Sequence, residues 1–345
     1  MKIVEEKKNN FITGTIEINE DNSQKLIINS FENVQKKEGS KINWNKINAE
    51  ENEKEIKECE IFINNQKINF DYFYEFPKKG NYIIRYVFNG LLKITNCMFF
   101  GCDSLKSLDL SNFNTEKVTN MACMFSKCKS LITLNLNNVN TKNVINMACI
   151  FYGCSSLKSI DLSNFNTENV TNMIEMFENC SSLINLDLSN FKTPKLTNME
   201  LTFRNCRSLK SIDVSNFITN NVIDMGGTFG DCYSLISLDL LNFNTQNVKR
   251  MAGMFSECNS LISLNVSSFN TEKVTDMLGM FSGCKSLTSL DLSNFKIGKL
   301  TDLKGMFFEC NSLTTLELDY YKELIVVYTY NMFKNCNSLI LKFFN

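Results

Sequence analysis

Phe151-Tyr152-Gly153-Cys154-Ser155-Ser156-Leu157-Lys158-Ser159-Ile160-Asp161-Leu162-Ser163-Asn164-Phe165-Asn166-Thr167-Glu168-Asn169-Val170-Thr171-Asn172-Met173-Ile174-Glu175-Met176 decides the fold, because the same pattern recurs every 26 residues. Its cysteine returns without a slip at Cys102, Cys128, Cys154, Cys180, Cys206, Cys232, Cys258, Cys284, Cys310 and Cys336. A fixed period in the range of about 20 to 50 residues marks a stack of equal units, each too small to bury its apolar face alone. Such an array gains its stability between neighbours and needs a cover at its ends.

Within a repeat the apolar period changes. Leu131, Leu134 and Leu136 carry the Leu-x-x-Leu-x-Leu spacing of a short strand, which predicts a parallel sheet built strand by strand. Met147, Ile150, Phe151 and Cys154 fall at i, i+3, i+4 and i+7, which predicts a two-turn helix, and Met173, Met176, Phe177 and Cys180 repeat the stripe. Thr119, Thr171, Thr197, Thr275 and Thr301 precede that stripe as helix caps, while Ile145, Ile223 and Lys249 take the slot elsewhere. The expected fold is an α/β solenoid of about ten leucine-rich repeats over residues 91–345, with the parallel β-sheet on the concave face and short helices on the convex face.

Residues 1–90 lack the repeat and read as a small β-rich N-terminal domain that covers the first repeat. Ile12 to Ile18, Cys59 to Ile63 and Tyr82 to Phe88 alternate with period two, and Asn64-Asn65 and Pro77-Lys78-Lys79-Gly80 are turns. The polar run at about 32–58, around the single tryptophan Trp44, reads as a long loop.

The motif Phe-x-x-Cys-x-Ser-Leu-x-x-Leu-Asp-Leu-Ser-Asn-Phe-Asn-Thr, read with Ile160 at the second leucine from Phe151 to Thr167, resembles the BspA-type leucine-rich repeat proteins known as surface proteins of bacteria and protists. The resemblance spans about Met98 to Leu341. It implies a curved solenoid used for adhesion or protein interaction, with no catalytic residues to carry over.

Bulk composition narrows the classes. Lys+Arg 36 against Asp+Glu 37 gives a net charge of −1, so no overall field recruits nucleic acid or an anionic membrane. The absence of histidine removes the usual general base and the commonest metal ligand. No stretch approaches the roughly 20 apolar residues of a membrane span. The N-terminal sequence has no apolar signal-like region, and with so many thiols this favours a reducing, intracellular compartment over the cell surface that the resemblance implies.

Two cysteine columns and one acidic column stand out. Main-column cysteines stacked at strand spacing have parallel side-chain vectors, which suits buried free thiols better than disulfides. A shorter column, Cys97, Cys123 and Cys149, aligns three thiols in a slot held later by Glu175, Leu201, Gly227, Gly253, Gly279 and Gly305. It has the makings of a soft-metal site or a redox pair, yet it lacks the Cys-x-x-Cys spacing of zinc, so no metal and no cofactor is expected. The residue between the strand leucines points outward and gives Asp109, Asn135, Asp161, Asp187, Asp213, Asp239, Asn265, Asp291 and Glu317. Asp109, Asp161, Asp187, Asp213, Asp239 and Asp291, with Ser159 and Ser163, are the candidate partner-binding residues.

These readings converge on a non-enzymatic scaffold that binds a protein partner through a concave sheet. A surface adhesin is one alternative. A self-assembling structural protein is the other, because Leu339 to Asn345 is apolar and suits self-association at the C-terminal end.

Overall fold

The computed structural model describes residues 10–296, 302–317 and 330–342. The chain forms two compact units, Met1–Val170 and Thr171–Asn345.

The first unit opens with β1 (Phe11–Ile18) and β2 (Ser23–Leu26), then α1 (Phe31–Glu38), α2 (Trp44–Ile47) and α3 (Glu53–Lys57). β3 (Glu60–Ile63), β4 (Gln66–Ile68), β5 (Phe73–Phe76) and β6 (Gly80–Val87) follow, and the repeats contribute β7 (Leu105–Asp109) and β8 (Thr133–Asn135). Six of these make one mixed sheet in the order β4-β3-β6-β1-β7-β8. β1 runs antiparallel to β6 on one side and to β7 on the other, whereas β7 and β8 pair in parallel. The N-terminal strand thus covers the edge of the first repeat. Gly14 permits that approach, since a β-carbon there would stand 3.1 Å from Leu108 Cδ2.

The polar run at 32–58 is not a loop. It carries the three helices and a 3-10 turn at Gly39–Lys41. Ser30 caps α1 by accepting from the Asn33 N–H at 3.3 Å, and Trp44 stands edge-on to Phe31 with centroids 5.2 Å apart. Its polarity is used against the repeats. The Asn120 amide donates to the Asn48 carbonyl (3.0 Å) and to Glu50 Oε1 (2.8 Å), and the Asn146 amide donates to the Ile47 carbonyl (2.8 Å).

In the second unit, β9 (Ser237–Asp239) pairs in parallel with β10 (Ser263–Asn265). β11 (Ser289–Leu290), β12 (Thr315–Glu317) and β13 (Ile340–Lys342) form a parallel trio. The expected C-terminal self-association segment supplies β13, and Phe343–Asn345 lie outside the described residues.

Two expectations need correction. Strands in the repeats are short and their parallel ladders brief, and the larger six-stranded sheet is mixed, so no continuous parallel sheet appears among the described residues. No helix occurs in the repeats among the described residues either. The stripe from Met121 to Cys128 instead folds as successive turns, in which Met124, Ser126 and Cys128 N–H groups return to the carbonyls of Met121, Cys123 and Phe125. Cys123 and Lys127 take φ of 58° and 59°, a left-handed conformation that no right-handed helix accommodates. The alternate N–H groups of Met121, Cys123, Phe125 and Lys127 reach the carbonyls of Asn146, Ala148, Ile150 and Tyr152 in the next repeat. The threonines expected as caps at Thr119, Thr197 and Thr275 donate instead to carbonyls 26 residues earlier, those of Lys93, Thr171 and Lys249; Thr301 is outside the described residues.

Candidate interaction face

Most polar side chains of the repeat are spent on holding neighbours together. Buried Thr219 donates its hydroxyl to the Asn244 carbonyl (3.0 Å) and accepts from the Asn244 N–H (2.8 Å), and Thr115, Thr141, Thr193 and Thr245 make the same two-way staple. The main-column thiols act likewise. Cys206, Cys232, Cys258, Cys284 and Cys310 donate to the carbonyls of Phe177, Phe203, Phe229, Phe255 and Phe281 at 3.1–3.3 Å. Burial pushes the Cys232 thiol up to about 12, so it stays protonated and keeps its hydrogen to donate. Beside the thiols the rings of Phe177 to Phe333 stack with centroids 5.4–5.9 Å apart. These five main-column cysteines are in no disulfide, which leaves each thiol its hydrogen to donate.

Asp161, Asp187, Asp213, Asp239 and Asp291 are exposed and Asp109 is half-buried. Each turns one oxygen back to the N–H two residues on, as Asp161 does to Ser163 and Asp213 to Ser215, both at 2.9 Å. The backbone N–H of those serines, aided by their hydroxyls, holds the Asp161 and Asp213 carboxyls below the ordinary value. Ser293 does the same for Asp291. The turn bonds let these carboxylates remain charged in series. In the first unit, Asp109 also accepts the Asn135 amide (2.9 Å), and Ser159, Asp161 and Ser163 are exposed. In the second, Asp187, Asp213, Asp239 and Asp291 occupy equivalent places, with Asp239 paired in register to Asn265. Glu317 is in β12, but its side chain is outside the description.

Sequence reasoning missed exposed apolar residues next to the strands. Ile236 and Ile262 stand one residue before β9 and β10 and are 48% and 56% exposed, and Ile184 occupies the same slot at 41%. The Ile262 N–H donates to the Ile236 carbonyl at 2.8 Å, which fixes the two as neighbours. The signal was present in the x of Ser-Leu-x-x-Leu, where Ile184, Ile236 and Ile262 alternate with Lys158 and Lys210.

Among the described residues no group of three or more Cys, Asp or Glu side chains is arranged to hold a metal ion, and no helix is long and apolar enough to cross a membrane. A family model described as Mycoplasma protein of unknown function, DUF285, matches three times, at residues 93–212, 183–264 and 234–343. The chain belongs to this family. The DUF285 match begins where the ladder begins, so the β1–β6 region lies outside it. No curated protein and no solved structure matches. The DUF285 repeats thus share their bonding scheme from copy to copy and differ at the exposed slots.

Proposed function

We propose that the chain works by binding rather than by catalysis, as a protein-interaction scaffold whose contact face is the row of exposed aspartates with the isoleucines near it, the concave side of a leucine-rich-repeat solenoid. One observation carries the reading. Threonine, asparagine and cysteine are consumed between repeats, while Ile236 and Ile262 stay exposed as neighbours, three residues before Asp239 and Asn265. Contiguous exposed apolar surface rimmed by polar residues marks a contact site. Repeat arrays use such extended faces for recognition, and a partner with apolar side chains flanked by lysine or arginine complements this one.

The test is affinity capture from native lysate with the full chain, run beside Ile236→Asp/Ile262→Asp and Asp187→Asn/Asp213→Asn variants of unchanged melting temperature. Proteins captured by the native chain should be lost or at least tenfold depleted on both variants. An identical captured set would remove the face from function.

The motif likeness to BspA-type proteins favours a second reading, a surface adhesin using the same face. Biotinylation of intact cells distinguishes it, since only a surface protein is labelled.

A further inference from the structure

The outward face of the six-stranded sheet carries a cation that nothing among the described residues neutralises. Strand register puts Arg85 of β6 between Phe62 of β3 and Thr13 of β1, and Thr13 in turn beside Asp109 of β7. Side chains opposite one another in a sheet share a face, so Arg85 stands in one row with Asp109, two strands away at about 10 Å. That is too far for an ion pair. The carboxylates of this face are engaged elsewhere: Glu60 with Lys67 (3.0 Å), Glu17 with Lys106 (3.6 Å), and Asp109 with the Asn135 amide and the Ser111 N–H, both at 2.9 Å. The Nε of Arg85 is sealed from solvent with no acceptor.

What surrounds the guanidinium is apolar. It lies 3.8 Å over the centre of the Phe11 ring, and Phe62, Ile83 and Val87 border it on the same face. Ile83 is 54% exposed, while Phe11, Phe62, Val87 and Arg85 itself are half-buried. The stack on Phe11 fixes the plane of the fork, and an apolar border strengthens any charge-assisted bond formed at it. Arginine set among aromatic and aliphatic side chains is also the composition of an interface hot spot. Desolvating this arginine is costly, and within the described residues the ring contact is the return; an acceptor from outside that meets the Nη groups completes the site.

We propose that Arg85 and its apolar border form a docking site for an acidic protein segment, in which one Glu or Asp side chain pairs with the Nη groups of Arg85 while apolar residues beside it cover Ile83 and Phe62. Charge complementarity selects this occupant. A carboxylate matches the planar fork of arginine and brings a single negative charge. Glu17, Glu60 and Asp109 on the same face repel a polyanion, which disfavours nucleic acid and an anionic membrane surface as occupants. The site belongs to the first unit and to the β1–β6 region outside the DUF285 match, so it goes beyond the isoleucines and aspartates of the second unit.

The experiment pans a phage-displayed library of random linear peptides on the full chain and measures binding of a synthetic peptide of the selected consensus. Selected sequences should converge on Asp or Glu between apolar residues. The peptide should bind Arg85→Gln and Ile83→Asp at least about tenfold more weakly than the native chain. Ile83 is exposed, so its variant tests the site even where loss of the Arg85 stack lowers stability. Arg85→Glu should reverse the preference and bind better the same peptide with lysine in place of its acidic residue. Binding to the Ile236→Asp/Ile262→Asp chain should be unchanged, so that this site and the contact face of the second unit fail separately. A consensus without acidic residues, undiminished binding to Arg85→Gln and Ile83→Asp, or binding lost in Ile236→Asp/Ile262→Asp instead would overturn the proposal.

Discussion

The thiol of Cys128 donates to the carbonyl oxygen of Phe99, 3.1 Å away, and the same oxygen accepts the Cys102 N–H at 3.0 Å. Both lone pairs of a buried carbonyl are therefore used, one within its repeat and one by the next. Cysteine suits the position because it is small, apolar and still a weak donor. Cys232→Val keeps an apolar group of similar size and removes the donor, so the cost should be about 1–3 kcal/mol from under-bonding Phe203 and crowding its neighbours. Cys232→Ser retains a donor and should cost less. Urea midpoints at unchanged slope check the order of the two, and a valine variant as stable as the native chain would mean the thiol bond contributes nothing.

Threonine is the stronger staple. Thr219→Val leaves both the N–H and the carbonyl of Asn244 without their partner, and at about 1–3 kcal/mol for each buried group the loss should be about 2–6 kcal/mol. Thr219→Ser keeps the hydroxyl and should lose under about 1.5 kcal/mol. Equilibrium unfolding of the two variants separates a hydrogen-bond role from mere volume.

Gly227 has φ of 59°, and a β-carbon on it would collide with Leu201 Cδ2. Gly227→Ala should therefore destabilise by about 1–2 kcal/mol from backbone strain, plus the cost of moving the leucine. Leu201→Ala removes the obstructing atom, so the double variant should lose less than the sum of the single ones. Strict additivity in the cycle would show that the two residues do not meet.

Burial, then the charge of Glu175, pushes the Glu178 carboxyl from its ordinary 4.5 up to about 7, with Arg204 opposing the rise. The folded chain holds a proton that the unfolded chain has released between these values. This group's contribution is thus fully present below about pH 4.5 and is lost as pH rises through 7, on the order of 3 kcal/mol in all. Glu178→Gln should flatten that part of the profile. Denaturant unfolding at pH 5 and pH 8 measures it, and a slope unchanged in the variant would assign the effect elsewhere.

The period, the repeat limits and the buried columns were legible from one sequence, because stacking demands the same residue at the same place in every copy. The strand reading holds in part: β8 falls between Leu131 and Leu136, whereas the equivalent residues around Asp161, Asp187 and Asp213 form no strand. The helix reading failed for a physical reason. Apolar residues at i, i+3, i+4 and i+7 also line one side of successive three-residue turns, and only φ distinguishes the two. Gly227, Gly253, Gly279 and Gly305, with Gly101, Gly153 and Gly283 in the slot before the main cysteine, were the available sign of left-handed backbone. The segment around Trp44 was misread because its hydrogen bonds end on Asn96, Asn120 and Asn146, far away in sequence. In the candidate face, the aspartates were visible as a column, but the exposed isoleucines next to the strands emerged only with the backbone in place.

Amide hydrogen exchange of the full chain, alone and with a captured partner, tests most directly whether the exposed strand row is the contact surface. Protection should rise at Ile236–Asp239 and Ile262–Asn265 and remain unchanged in the ladder turns at Met251–Cys258. New protection confined to the ladder turns or to the β1–β6 region, with the strand row unaffected, would contradict it.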